Sequence, residues 1–455
     1  MERIGTVFTA DCAEMNEMGA GIVRYEGLVV FVPGLVPGDR AEIEIVSAEK
    51  NYAVGKCMSL VCQSPLRIPS RCPEEERCGG CTLGHIPYDM ENRIKQSTVR
   101  SAFRRAGLKE ILLEETVCGE NRYGYRNKMT LRYDPASRRF GYCREGTDEV
   151  LPFRGCPLCP DRFSEIVLFL NEHPDLTAPL RPTGLCVRSG SEGLSLSIRT
   201  ESDPEDPSAL LTAIREAFPD VVMISVSKSA QSSAPVRDRI AGLEMAYSGD
   251  AFRQVNTPVF EKLLDLLTDM AGEVPFERAA DLYCGSGVIG LALARAFPSA
   301  RITGIEINPD AVEDAKKNAA RNGLGNIRFF AGDAASFRKR TGDRERPSLV
   351  TVDPPRAGLS RQMRRELTDL APERILYVSC NPQTLARDVR ELTEAGYAVA
   401  RVVPVNMFPA TKHVETVCCL YHQKKVFISV PYEPKNTDYL KKDESDEQIE
   451  FCGEE

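Results

Sequence analysis

The chain predicts an α/β protein: a C-terminal Rossmann-like domain, preceded by an OB-like β-barrel and a central α+β domain. Three observations carry this. From Arg278 onward, short apolar runs alternate with helical periods, the pattern of a doubly wound sheet. Within that series Asp281-Leu282-Tyr283-Cys284-Gly285-Ser286-Gly287 ends a strand and opens a helix, with glycines that let backbone approach a ligand. Residues 1–60 instead hold short β-rich runs separated by turn residues, which suits a small five-stranded barrel. A length of 455 residues allows about three domains. We place them at 1–60, 61–250 and 251–430, with an acidic tail at 431–455 expected to lack a fixed fold.

Composition narrows the class. With 42% hydrophobic and 27% charged residues, the chain is ordinary for a soluble globular protein. No run of 18 apolar residues is present, so no membrane partner is expected. The first 15 residues carry acids and no apolar core, unlike a secretory signal, so a cytoplasmic location is expected. In that reducing setting the 16 cysteines point to metal binding or catalysis rather than disulfides. The net charge of −8 decides little, because residues 436–455 contribute −6 of it. A monomer is expected.

Taken in order, the barrel has β-rich runs at 21–31 and 41–46, joined by the turn Val36-Pro37-Gly38-Asp39. Such barrels bind oligonucleotides or serve as plain structural modules. Cys72, Cys78 and Cys81 follow, with Gly79 and Gly80 between the last two and His85 close behind. Three thiols so spaced suit a backbone wrapped round a metal centre. His85 would complete a Cys₃His zinc site. A cysteine from Gly155-Cys156-Pro157-Leu158-Cys159 would instead complete a Cys₄ site able to hold an iron–sulfur cluster. Residues 88–107 read as a helix with Lys95, Arg100, Arg104 and Arg105 late in its course. Residues 122–144 pack seven basic residues against one acid, interleaved with Tyr123, Tyr125, Tyr133, Phe140 and Tyr142. Cations for phosphates and rings for unstacked bases make a single-strand RNA platform; a solvated basic face over an aromatic core is the plainer alternative. Strands at 194–198 and 221–226 and a helix at 209–218 fill the central domain without evident chemistry.

The C-terminal series carries the chemistry. Phe252-Arg253-Gln254-Val255-Asn256 precedes an amphipathic helix at 258–270. Gly285 and Gly287 open the ligand turn. Asp281 before them is more typical of S-adenosylmethionine sites than of NAD sites. Glu306, ending the strand 302–306, lies where an acid meets ribose hydroxyls, and Asp333 is placed for an adenine edge. The strand 349–352 runs into Asp353-Pro354-Pro355-Arg356, whose rigid backbone carries Asp353 into the cleft. Arg374-Ile375-Leu376-Tyr377-Val378 reads as a strand buried on both faces, ending in Ser379-Cys380-Asn381-Pro382. Cys380 at that carboxyl edge is a small core residue or a nucleophile. Glu415 opens the strand 417–421.

Taken together, these motifs resemble the RNA (uracil-5-)-methyltransferase family in its iron–sulfur-containing 23S rRNA branch. The resemblance runs from Phe31-Val32-Pro33-Gly34 through the Cys72/Cys78/Cys81 set, Tyr125-Arg126-Asn127-Lys128 and the motifs above to His413-Val414-Glu415; the tail past Lys435 lies outside it. It implies a class I methyltransferase domain and an RNA-holding TRAM barrel. It implies Cys380 as nucleophile, Glu415 as base and Cys156 as fourth ligand of a [4Fe–4S] cluster. Gln254, Tyr283, Glu306 and Asp353 would surround S-adenosylmethionine. The implied reaction forms 5-methyluridine in RNA, 23S rRNA being favoured by the cysteines. Its rivals are the same reaction on tRNA, methylation of an exocyclic amine, and an RNA-binding module with a vestigial enzyme fold. A free thiol is mostly protonated at neutral pH, so a nearby cation or dipole is expected to lower the pKa of Cys380.

Overall fold

The computed structural model describes residues 3–16, 18–228, 236–248, 251–342 and 346–423. The acidic tail at 431–455 lies outside the described residues. Six strands, from Val7–Asp11 to Tyr52–Cys62, form the N-terminal sheet, one more than the five expected. The extra one is the two-residue strand Glu14–Met15. The run read at 21–31 is two strands, Ala20–Tyr25 and Leu28–Pro33. Glu26 and Gly27 between them both take positive φ, 47° and 80°, the backbone of a two-residue hairpin whose twist matches its strands. Val23, Val30, Val32, Ile43 and Ile45 fill the barrel.

The central region is a five-stranded mixed sheet, in the order Val221–Ser227, Gly193–Thr200, Pro182–Gly190, Lys128–Asp134, Arg139–Gly141. Helices Asp161–Glu172 and Ser208–Ala217 pack on it through Phe163, Ile166, Leu170, Leu210 and Ile214. Helix Tyr88–Arg105 belongs elsewhere: its Val99, Ala102 and Phe103 join the core of the C-terminal sheet.

That C-terminal sheet has seven strands, in the order Ile327–Ala331, Arg301–Glu306, Arg278–Leu282, Leu349–Val352, Arg374–Ser379, Glu415–His422, Tyr397–Val405. The first five are parallel. Strand Arg374–Ser379 is buried at every position and feeds two cores in turn. Leu376 and Val378 meet Leu263 and Leu267 of helix Thr257–Gly272, while Ile375 and Tyr377 meet Leu385 and Val389 of helix Pro382–Glu394. The last two strands break the alternating β/α pattern. Glu415–His422 pairs antiparallel to Arg374–Ser379 on one side and to Tyr397–Val405 on the other. An antiparallel neighbour brings its first residue to the edge where a parallel one brings its last. Ser379 pairs with Thr416 as the last rung of that ladder, so Cys380 and Glu415 are the residues next to it on the two chains. Among the described residues, no helix is long and apolar enough to cross a membrane.

Candidate active site

A cleft of about 1200 Å³ opens at the carboxyl ends of the parallel strands. Gln254, Tyr283, Gly285, Glu306, Asp333, Asp353, Cys380 and Glu415 all line it. Gly287 does not. Its φ is 89° and a Cβ there would fall 2.7 Å from Phe329, so this glycine serves close helix packing rather than the ligand face we expected. Gly285 is the open one: at φ 53°, its Cβ direction meets nothing within 4 Å.

The turn is wired to the carboxylates around it. Glu306 accepts from the Gly285 N–H at 3.1 Å and the Asn308 N–H at 2.9 Å, which fixes an acid beside the glycine. Asp281 lies beneath, accepting from Gly290 N at 2.8 Å and from the Thr351 hydroxyl at 2.8 Å. It ties the helix Val288–Ala296 to the sheet rather than facing the cleft. Asp333 accepts from Ala335 N at 2.9 Å and caps the short helix after it. Together these leave a pocket with backbone against one wall and an anchored acid at its side, a shape and donor set that suit a nucleoside.

At the other end, Cys380 sits between strand Arg374–Ser379 and helix Pro382–Glu394. The Asn381 side chain accepts from Gln383 N at 3.1 Å, so the helix begins directly after the thiol. The expected cation is present as Arg356, an exposed residue lining the cleft mouth. The expected lowering of the Cys380 pKa is not. Burial raises the thiol above its ordinary value of 9.0, the Glu415 and Asp353 carboxylates raise it further, and Arg356 offsets this only in part. Glu415 is 6% exposed, and burial plus the nearby Asp353 push it up to about 8. Burial and Asp281 push Asp353 up to about 7. Burial first, and then the proximity of the Asp281, Asp353 and Glu415 carboxylates, favours protonated forms near neutrality. A group pushed up to about 8, as Glu415 is, can exchange a proton near neutral pH.

The cysteines of the central region also converge. Cys72 and Cys81 are in hydrogen-bond contact, and Cys78 lies close enough to Cys72 and Cys156 to feel their charge. Cys156 is lowered to about 6, mainly by a hydrogen bond from Cys159, with the Tyr142 hydroxyl and Arg126 also favouring the thiolate. Cys159 is itself 1% exposed and part of the sheet–helix core, whereas Cys156 packs alongside Cys81. Among the described residues, no three His, Cys, Asp or Glu side chains close into a cage for a single metal ion.

The basic and aromatic segment 122–144 is less of an open platform than its composition suggests. Arg122 is buried, donating to Ile86 O and Leu83 O at 2.6 Å each and pairing with Glu91 at 3.0 Å. Tyr125 and Phe140 are core residues, and Arg132, Arg138 and Arg144 pair with Asp148, Asp175 and Glu149. Lys95 is likewise buried, and bonded to Glu91 at 2.8 Å. Sequence reasoning missed Glu91, whose carboxylate joins Lys95, Arg122, Asn406 and Ala410 N. An acid four residues before a lysine on one helix face was the available signal.

Comparison with known proteins identifies relatives of the whole chain. Residues 229–424 match the family model described as tRNA (uracil-5-)-methyltransferase, and residues 2–58 match the TRAM domain. A Bacillus cereus protein described as an uncharacterized RNA methyltransferase is 31% identical, over 90% of this chain and 96% of its own. One from Caldanaerobacter subterraneus is also 31% identical, over 91% and 98%. The solved structure of the Pyrococcus abyssi tRNA (uracil-54, C5)-methyltransferase with S-adenosyl-L-homocysteine superposes with a TM-score of 0.70 at 26% identity. That likeness covers 91% of this chain and 100% of the other. With relatives matched along nearly their whole length, the chain belongs to the S-adenosylmethionine-dependent RNA (uracil-5-)-methyltransferase family, with a TRAM barrel at its N-terminus.

Proposed function

We propose that the protein forms 5-methyluridine in 23S ribosomal RNA through a covalent bond between Cys380 and uracil carbon 6, with Glu415 as the base. The observation that carries this reading is that Cys380 and Glu415, at the end of one ladder, line the same cleft as the glycine turn and lie close enough for the carboxylate to act on the thiol. Carbon 5 of uracil is too weak a nucleophile to be methylated directly. Addition of the Cys380 thiolate at carbon 6 moves the ring's double-bond electrons into an enolate and makes carbon 5 nucleophilic. S-adenosylmethionine, when bound, supplies an electrophilic methyl group. Glu415 then takes the carbon 5 proton; the electrons of that C–H bond rebuild the double bond and expel the thiolate. Gly285, Tyr283, Glu306 and Asp333 would hold the nucleoside of the cofactor, with Gln254 and Asp353 nearer the reacting bases. The target uridine must leave its stack to reach Cys380.

Cys72, Cys78, Cys81 and Cys156 would hold a [4Fe–4S] cluster. Their supporting observation is the convergence of four soft thiols, one already favoured as thiolate. A cluster spreads its four thiolates farther apart than a single ion does. Ribosomal RNA is preferred for this cysteine set, and the likeness to the Pyrococcus enzyme favours transfer RNA as the second reading. Mapping 5-methyluridine in both RNAs from cells lacking the protein decides between them: a missing mark in rRNA is expected, and a mark lost only from tRNA rejects the first. For the mechanism, RNA carrying 5-fluorouridine should trap wild-type protein in a denaturation-resistant adduct, and Cys380→Ala should neither trap nor methylate. Methylation by Cys380→Ala would reject covalent catalysis.

A further inference from the structure

The turn that carries Cys78 and Cys81 reaches the segment leading to Glu415. Leu83 N donates to Ala410 O at 2.9 Å, and Lys412 N donates to the Thr82 hydroxyl at 2.9 Å. Ala410 packs among Tyr125 and Leu158, with Cys81 and Cys156 against them. The Tyr125 hydroxyl donates to Pro409 O at 3.1 Å. Ala410 itself has a φ of 65°, a region that residues with a Cβ avoid. Both of its peptide groups are tied down: the N–H by Glu91 at 3.0 Å, the carbonyl by Leu83. A backbone held in a disfavoured conformation persists when its surroundings over-determine it.

We propose that the Cys78–Leu83 turn is a latch that positions Glu415, with Thr82 as a positioning residue that acts through Lys412. This rests on the assignment of Glu415 as the base. Cys380 is placed from its other side, by the pairing of its strand with Leu349–Val352 and by the cap of helix Pro382–Glu394, and among the described residues no hydrogen bond joins the latch to it. Loosening the latch therefore leaves thiol addition intact and impairs proton removal. Because Cys81 directly precedes Thr82, a cluster held by Cys81 would share this turn, and its loss would loosen the same step.

The test uses Thr82→Val in the full-length protein, with Thr82→Ser as the conservative partner. The RNA probe is a mixture of ribosomal and transfer RNA transcribed in vitro, with uridine or with 5-fluorouridine. Thr82→Val should be trapped by the fluorinated RNA as fast as wild type. On uridine RNA its kcat should fall roughly 10- to 100-fold, since an ångström of misplacement costs up to about 100-fold, with KM for S-adenosylmethionine unchanged. Methylated RNA should accumulate as a covalent adduct on the variant, and amide exchange across residues 406–415 should quicken. Thr82→Ser should restore all of these. Wild-type turnover and exchange in Thr82→Val would overturn the latch. Equal loss of trapping and turnover would also overturn it, as the damage would then extend to Cys380. If wild type itself is not trapped by fluorinated RNA, the covalent reading fails instead.

Discussion

Replacing Glu415 by Gln should make the protein more stable in alkali and less stable in acid. The carboxyl is 6% exposed and titrates near 8 in place of its ordinary 4.5. Its folded-state pKa is raised, so folding is unpenalised below about pH 4.5, and the cost grows until the pH passes about 8. A difference of 3.5 pKa values corresponds to roughly 5 kcal/mol at the alkaline plateau, at 1.36 kcal/mol each. A buried amide at the same place costs about 1–3 kcal/mol and does not vary with pH. The variant should therefore gain about 3 kcal/mol at pH 8.5 and lose about 2 at pH 4.5. At 2–4 °C per kcal/mol for a domain of this size, that is a Tm roughly 6–12 °C higher at pH 8.5. The two melting profiles should cross near pH 6. Thermal melts of both proteins from pH 4.5 to 9 measure this directly. A difference of constant sign across that range would refute the argument, because it would mean that Glu415 bears no buried charge. The catalytic corollary is that proton removal by the wild type should speed up as the pH rises toward 8.

Other perturbations follow from the same geometry. Arg356→Ala removes the cation that opposes the rise of the Cys380 pKa, so the pH dependence of trapping by 5-fluorouridine RNA should move to higher pH; a profile that stays in place would show that Arg356 does not act on the thiol. Anaerobically purified protein should be brown with about four irons per chain. Cys156→Ser should lose that iron while Cys159→Ser keeps it; stoichiometric zinc without sulfide would refute the cluster. Arg374 donates to the carbonyls of Met270, Ala271 and Val274 at 2.8 Å each, so Arg374→Met strands three buried acceptors. It should cost about 3–5 kcal/mol and lower Tm by roughly 10 °C, and a shift under 3 °C would refute that bonding.

What could be read from the sequence was what depends on local pattern. The strand before Cys380 announced itself because burial on both faces makes every position apolar, and it is buried throughout. The glycine turn and the strand opened by Glu415 were legible for similar reasons. Arg122 was misread as a surface cation, because its partner Glu91 lies on an earlier helix and also binds Asn406 and Ala410, about 300 residues further along. The Cys380 pKa was misjudged for a related reason. Burial dominates it, and the opposing carboxylates arrive from the strands ending at Asp353 and beginning at Glu415, neither of which is local to Cys380. Phe140 and Tyr125 looked like stacking platforms and proved to be packing, since composition does not tell which side of a hairpin faces inward.

The antiparallel strand Glu415–His422 also bears on which length changes the chain can absorb. Side chains on a strand alternate in facing, and this strand is gripped on both sides, in unbroken register by Arg374–Ser379 and across one register shift at Val399–Arg401 by Tyr397–Val405. One residue inserted among Thr416–Tyr421 would force a choice between turning Glu415 out of the cleft and turning the apolar residues after it out of their cores. Two inserted residues would restore the facing and shift the carboxylate along the strand. Insertions at the turn Gly323–Asn326, outside these ladders, meet no such parity rule. Length variation among natural or engineered versions of this chain should therefore gather in such turns, and single-residue insertions should be absent from the strand that begins with Glu415.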